Sequence, residues 1–352
     1  NPKIEQFWLS YIDALIKVRQ FANAEQVLKE ARKQGVSADR LNSLAVHLSP
    51  NPQNPTVGVN PPQELLDKLL GHYQSGMFAE AEKLALSITQ DYPKHPFAWK
   101  VLGAVLQSMG RKSEAVAANQ EAVALSPQDA EAQSNLGVTL KEIGRLEEAE
   151  ASYNQAIALK TDYAAAHYNL GVTLKELGRL NEAEASYNQA IALKPDHAEA
   201  HNNLGNALQA LVRLEEAVAS YNQAIELKPD YAEAHNNLGI TLHELGRSEE
   251  AEASYTEAIA LKPDYADAYW NLHGIQKTLE GAEHWIDRCL KTDENHIKAK
   301  LMKAALRFFK GDKSNFDKLM QSELRQHPFA RSFAWVFNLP NLPELHFDKW
   351  YF

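Results

Sequence analysis

Five asparagines recur at intervals of 34 residues: Asn135, Asn169, Asn203, Asn237 and Asn271. Asparagine is roughly 0.7 kcal/mol worse than alanine inside a helix, so a helical sequence that keeps it at one place keeps it for the amide. A carboxamide carries both donor and acceptor, and it can pair with the N–H and C=O of one peptide unit whatever side chains that peptide bears. Evenly spaced amides would therefore grip the main chain of an extended ligand. The competing role is internal, each amide bonding a neighbouring helix and fixing the spacing of the elements.

Other chemistry is sparse. The sequence holds no Walker-type phosphate loop, dinucleotide fingerprint, GxSxG elbow, HExxH pair or cysteine cluster, so no catalytic residue and no cofactor is assigned. His197 and His201 have the spacing of a helical metal pair, but His167, His201 and His235 share one place in a repeat where an aromatic side chain packs, so no metal site is assigned. Trp99, Trp285 and the single cysteine, Cys289, read as core residues.

The elements that carry the asparagines follow from the period. From residue 62 the chain divides into blocks of 34 beginning at Pro62, Pro96, Ala130, Ala164, Ala198 and Ala232. Position 8 of the block is glycine (Gly137, Gly171, Gly205, Gly239), position 20 is alanine (Ala149, Ala183, Ala217, Ala251) and position 27 is alanine (Ala156, Ala190, Ala224, Ala258). Position 24 is Tyr153, Tyr187, Tyr221 and Tyr255, a ring for the seam with the next block. Glycine at position 15 (Gly76, Gly110, Gly144, Gly178, Gly246) ends a first helix. Proline at position 32 (Pro93, Pro127, Pro195, Pro229, Pro263) ends a second. Asp196, Asp230 and Asp264 are expected N-caps of the following helix, with the position 2 acids Glu131, Glu199, Glu233 and Asp267 serving the capping box. Val212 stands where the turn glycine belongs, and a β-branched residue resists a positive φ, so that turn is either reshaped or strained.

This 34-residue helix-turn-helix, with its Leu-Gly pair (Leu170 and Gly171, Leu204 and Gly205), its alanines, ring and proline, resembles the tetratricopeptide repeat. The resemblance implies an all-α fold, a right-handed solenoid of antiparallel helix pairs forming an open superhelix with a concave groove. Six regular repeats span 62–265 and two degenerate ones 266–330, the first of these short by three residues. An N-terminal helical module is expected over 1–48, with Trp8, Ile12, Leu15, Phe21, Ala24 and Ala31 on repeat positions. A Pro/Asn-rich linker follows over 49–61, and 331–352 forms an aromatic capping tail or a junction to a further domain. The opening at Asn1 without methionine and the ending on Trp350, Tyr351 and Phe352 suggest a segment excised from a longer chain.

On the first helix, positions 2, 5, 6, 9, 12 and 13 share a face. Besides the five asparagines this face carries Tyr168, Asn202, Asn236 and Trp270 at position 5, Val138, Val172, Asn206 and Ile240 at position 9, and Lys141, Lys175, Gln209 and His243 at position 12. The array is also similar to the superhelical repeats of the O-linked N-acetylglucosamine transferase family, which carry asparagine at position 6; that similarity implies a hold on extended polypeptide. Position 5 is not lysine from Ala130 on, which sets the array apart from repeats that clamp acidic chaperone tails.

The net charge of -10, with both signs interspersed, argues against nucleic acid as a partner. No apolar run is long enough for membrane insertion, and one cysteine fits a cytoplasmic location. The expected partner is thus a protein or peptide in extended conformation. Two further readings stay open: the substrate-recruiting arm of a glycosyl-, sulfo- or methyltransferase, and a homo-oligomer assembled through the terminal segments.

Overall fold

In the computed structural model the described residues are 8–12, 21–34, 36, 41 and 60–309. They are helical apart from turns, and Cα packing divides the chain into two compact units, Asn1–Met109 and Gly110–Phe352. Most of the expected linker 49–61, and all of the aromatic tail with Gly311, Phe316 and Pro328, lie outside the described residues.

In the first unit the helix Phe21–Lys33 buries Ala24, Leu28 and Ala31 in a small cluster with Ile12, Val36 and Leu41. Gln63–Gln74 packs on Phe78–Asp91, and that helix on Pro96–Ser108. Trp99 is half-buried and donates its indole N–H to the Pro93 carbonyl at 2.9 Å.

The second unit is a solenoid of consecutive helix pairs. Its first helices are Ala130–Glu142, Ala164–Glu176, Ala198–Ala210 and Ala232–Glu244; the second helices are Leu146–Leu159, Leu180–Leu193, Leu214–Leu227 and Ser248–Leu261. Each first helix packs on its own second helix, each second helix on the next first helix, and consecutive first helices touch one another. The first helices therefore form one continuous wall. A shortened pair, Ala266–Gly274 with Leu279–Thr292, and the helix Ile297–Phe309 continue the array.

The pair is held by close approach. A Cβ on Gly171 would lie 2.7 Å from the Tyr187 ring, and one on Gly205 would lie 2.6 Å from the Tyr221 ring, so only glycine lets the position 24 ring lie against the first helix. Where Asn119 replaces that ring it donates its amide to the Thr139 hydroxyl of the next repeat at 3.3 Å, so position 24 does serve the seam to the following block. Histidine at position 4 bonds back to the preceding turn: the ring Nε2 of His167, His201 and His235 meets the carbonyl of Thr161, Pro195 and Pro229 at 3.2, 3.1 and 3.1 Å. Tyr269 donates to the Pro263 carbonyl at 3.2 Å in the same way.

Two capping expectations are corrected. Asp196, Asp230 and Asp264 lie one residue too early: His197, Tyr231 and Tyr265 occupy the N-caps and make no side-chain cap bond. Asp129, which does occupy that place, accepts from the backbone of Glu131 and Ala132 at 2.9 and 3.1 Å. Three position 2 acids are drawn instead toward the end of their own repeat, Glu199 to Lys228 at 3.8 Å, Glu233 to Lys262 at 3.9 Å and Asp267 to His296 at 3.6 Å.

Second helices begin at an arginine. Arg179 and Arg213 fork the carboxylate three residues on, Glu182 and Glu216, and their remaining nitrogen reaches back one repeat to Glu150 at 2.7 Å and Glu184 at 2.6 Å. These clamps tie each second helix to the one before it, and the Arg179 guanidinium holds the Glu182 carboxyl below the usual carboxylate range. Val212 keeps the left-handed turn at φ 61°, against 76° for Gly178. The backbone bonds match, Val212 N–H to Gln209 C=O at 2.8 Å and Gly178 N–H to Lys175 C=O at 3.0 Å. The turn is strained and not reshaped.

Candidate peptide-binding face

Stacking places positions 5, 6, 9 and 12 of successive first helices in rows along the wall, and the rows interlock with an offset of 35 residues. Asn203 donates its amide to the Tyr168 hydroxyl at 2.9 Å, Asn237 to the Asn202 side-chain oxygen at 3.1 Å and Asn271 to the Asn236 side-chain oxygen at 2.9 Å. Each position 6 amide thus meets position 5 of the preceding repeat. Asn202 and Asn236 are buried, at 5% and 4% exposure, so these bonds satisfy acceptors that would otherwise be lost from water.

The first two ladder amides differ. The side chains of Asn135 and Asn169 are half-buried and make no hydrogen bond among the described residues. For Asn169 the cause is local: its counterpart one repeat back is Ser134, buried and too short to meet it.

The same division runs through the tyrosines beneath the wall. The Tyr221 hydroxyl donates to Asn206 Oδ1 at 2.8 Å and lies 3.2 Å from Gln209 Oε1, while Asn206 donates to Asn203 Oδ1 at 3.3 Å. In the two preceding repeats positions 9 and 12 are Val138 with Lys141 and Val172 with Lys175, and neither pair offers an acceptor. The hydroxyls of Tyr153 and Tyr187 are accordingly buried with no hydrogen-bond partner, and burial pushes both phenols up.

Position 12 also interlocks with the next repeat. Lys141 Nζ lies 4.0 Å from Glu176, and Gln209 donates to Glu244 at 3.0 Å. For Lys175 the corresponding residue is Ala210, and Lys175 makes no ion pair among the described residues.

Rings close both ends of the amide-rich stretch. Tyr168 packs on His197 with centroids 4.7 Å apart, and Trp270 packs on His273 at 3.9 Å and on His296 at 5.4 Å. His273 is 8% exposed, and burial pushes its imidazole down to about 4 against the pull of a hydrogen bond to the Trp270 carbonyl. His243 is half-buried, and desolvation lowers it despite the neighbouring Glu244 carboxylate. Neither is cationic at neutral pH.

The sequence-assigned residues therefore share one face, but in two sets. Asn203, Asn206, Asn237, Asn271, Tyr168, Asn202 and Asn236 bond one another, whereas Asn135, Asn169 and Lys175 keep their polar groups unengaged. Sequence reasoning placed Gln209 on this face and Tyr221 at the seam without their bond, and it missed Ser134, whose place 35 residues before Asn169 carried the signal. Among the described residues no group of histidine, cysteine or carboxylate side chains could hold a metal ion. Burial pushes the Cys289 thiol up to about 12, which leaves it unreactive. No described helix is long and apolar enough to cross a membrane.

Comparison with known proteins agrees with this architecture. A TPR repeat model matches 139–178, 173–212 and 213–246, and tetratricopeptide repeat models match 66–130 and 232–265. No curated protein sequence matches the chain. Among solved structures, a tetratricopeptide repeat protein from Parabacteroides merdae is similar at 17% identity and TM-score 0.55, over 70% of this chain and 98% of that one. The APC/C hetero-tetramer Cut9-Hcn1 is similar at 17% identity and TM-score 0.56, over 76% of this chain and 51% of that one. YrrB, a TPR protein with an unusual peptide-binding site, is similar at 22% identity and TM-score 0.45, over 52% of this chain and 95% of that one. With the period, the helix pairs and the repeat matches in agreement, this chain belongs to the tetratricopeptide repeat family.

Proposed function

We propose that the chain is a protein-interaction module that holds an extended peptide along the first-helix wall. Repeats of this family serve as interaction modules, and a solenoid offers a long continuous surface for an extended partner. The observation that carries the reading is the pair Asn135 and Asn169, half-exposed amides one repeat apart with donors and acceptors unspent. A ligand peptide unit satisfies both functions of such an amide.

The reading is narrower than a uniform ladder. Asn203, Asn237 and Asn271 have each given one amide N–H to the neighbouring repeat, and the Asn203 oxygen also accepts from Asn206, so less of each carboxamide is left for a ligand. These three fit the spacing role that stood as the alternative, and they extend a rigid wall beyond the binding segment.

Photo-crosslinking residues placed at Val138 and Val172, followed by mass spectrometry of captured peptides from a display library, tests this. Crosslinks that disappear in the Asn135→Ala, Asn169→Ala double variant, and persist in Asn237→Ala, are expected. Crosslinks unaffected by the double variant would refute the assignment.

A further inference from the structure

Resting on the peptide-binding reading above, we infer that repeat 164–197 contains a subsite for a carboxylate side chain of the ligand, built around Lys175. Along position 12 each neighbouring side chain has a carboxylate from the next repeat: Lys141 faces Glu176 at 4.0 Å and Gln209 bonds Glu244 at 3.0 Å. Lys175 alone in this run is denied one, because Ala210 occupies the place of the acid. The result is a half-buried ammonium on the binding wall without a counter-charge among the described residues.

A second, independent gap lies in the same repeat. The Tyr187 side chain is fully buried and its hydroxyl has no partner. In the next repeat the equivalent Tyr221 hydroxyl meets positions 9 and 12, Asn206 and Gln209. The positions matching those in repeat 164–197 are Val172, which cannot accept, and Lys175, which only donates. In this one repeat, then, neither the Lys175 ammonium nor the Tyr187 hydroxyl has an acceptor among the described residues. The missing partner is an anionic acceptor, and a carboxylate accepts from both an ammonium and a hydroxyl.

A further donor borders the site. The Tyr168 ring lies 6.1 Å from that of Tyr187, and its oxygen already accepts from Asn203, which leaves its own O–H to be donated. The acids of the neighbourhood are drawn to other cations, Glu176, whose charge also reaches Tyr187, to Lys141 at 4.0 Å and Glu199 to Lys228 at 3.8 Å. On an extended ligand held by Asn135 and Asn169, an aspartate or glutamate over repeat 164–197 would fill the gap.

The test is selection of random dodecapeptides on the full chain, on Lys175→Met and on Ala210→Glu. Ala210 is exposed, so the glutamate is accommodated and supplies Lys175 with the partner that Lys141 and Gln209 already have. Peptides selected on the wild-type chain are expected to carry Asp or Glu at one fixed register. Synthetic versions should bind about tenfold more tightly than their Gln counterparts, the size of one charge-assisted hydrogen bond. Both variants should lose this preference while still selecting peptides, and Tyr187→Phe should reduce it.

An acidic preference that survives Lys175→Met, or selected peptides with no acidic register, would overturn the subsite and leave the peptide-binding reading standing. Failure of the wild-type chain to select any peptide above background would overturn both. Selection of phosphorylated peptides alone from a phosphorylated library would replace the carboxylate by a phosphate and overturn the assignment.

Discussion

Repeats 130–163 and 164–197 share their backbone plan with repeats 198–231 and 232–265, yet the two halves handle polar groups in opposite ways. In the later half amide meets amide across each seam, and the Tyr221 hydroxyl is satisfied from within its own repeat. The earlier half leaves two ladder amides, one lysine and two buried tyrosine hydroxyls without partners. A fold does not leave buried donors unpaired for stability, because each costs about 1–3 kcal/mol. Under the proposed peptide-binding role, the earlier segment is the one left to receive a ligand and the later one completes itself.

The largest expected effect concerns acid. His273 has its folded pKa pushed down to about 4 from 6.5, so the unfolded chain binds the extra proton first. Stability from this residue is fully present above about pH 6.5 and is lost as pH falls toward 4, by roughly 3 kcal/mol in all. Hydrogen exchange read by mass spectrometry should show 266–292 losing protection at pH 4.5 before 130–197 does, since repeat stability depends mainly on nearest neighbours. Equal loss in both regions would erase this part of the contrast.

The tyrosines come next. Tyr187→Phe removes an orphaned hydroxyl and should raise stability by about 1 kcal/mol, whereas Tyr221→Phe breaks a satisfied network and should lower it by about 1 kcal/mol. Opposite shifts of the denaturation midpoint are the expected reading; shifts of the same sign would show that the two hydroxyls share one environment.

The asparagines should separate in the same sense. Asn237→Ala strands the buried Asn202 acceptor and should cost about 1–2 kcal/mol, while Asn169→Ala should leave the melting temperature unchanged and weaken peptide binding. The smallest effect is at the turns. Val212→Gly relieves a left-handed β-branched residue and, after the entropic penalty of glycine, should stabilise by about 1 kcal/mol. Gly178→Val should destabilise by no more than about the same 1 kcal/mol, the same strain less the entropy glycine costs, as thermal denaturation of the pair would show.

Much of this was legible in the residues because a repeat's interior is encoded locally. The contact of the position 8 glycine with the position 24 ring and the glycine turn act within one block, so one sequence period contains both sides of each. Val212 illustrates the limit: its misfit with the turn could be read, but whether the backbone yields or holds depends on the helices it joins. The N-caps failed for a related reason. A one-residue shift put His197, Tyr231 and Tyr265 at the N-caps in place of Asp196, Asp230 and Asp264, and a boundary at that resolution is not carried by the residue pattern alone.

By itself the sequence determined the period, the helix pairs and the face on which the asparagines lie, since these follow from periodicities that a single chain segment fixes. Only the tertiary structure decided which asparagines are engaged. That depends on contacts between residues 35 apart, on whether Ser134, Tyr168, Asn202 or Asn236 stands opposite, and on Ala210 where an acid would have neutralised Lys175. An amide's availability is a property of its neighbours in space, and the stacking of repeats sets those neighbours.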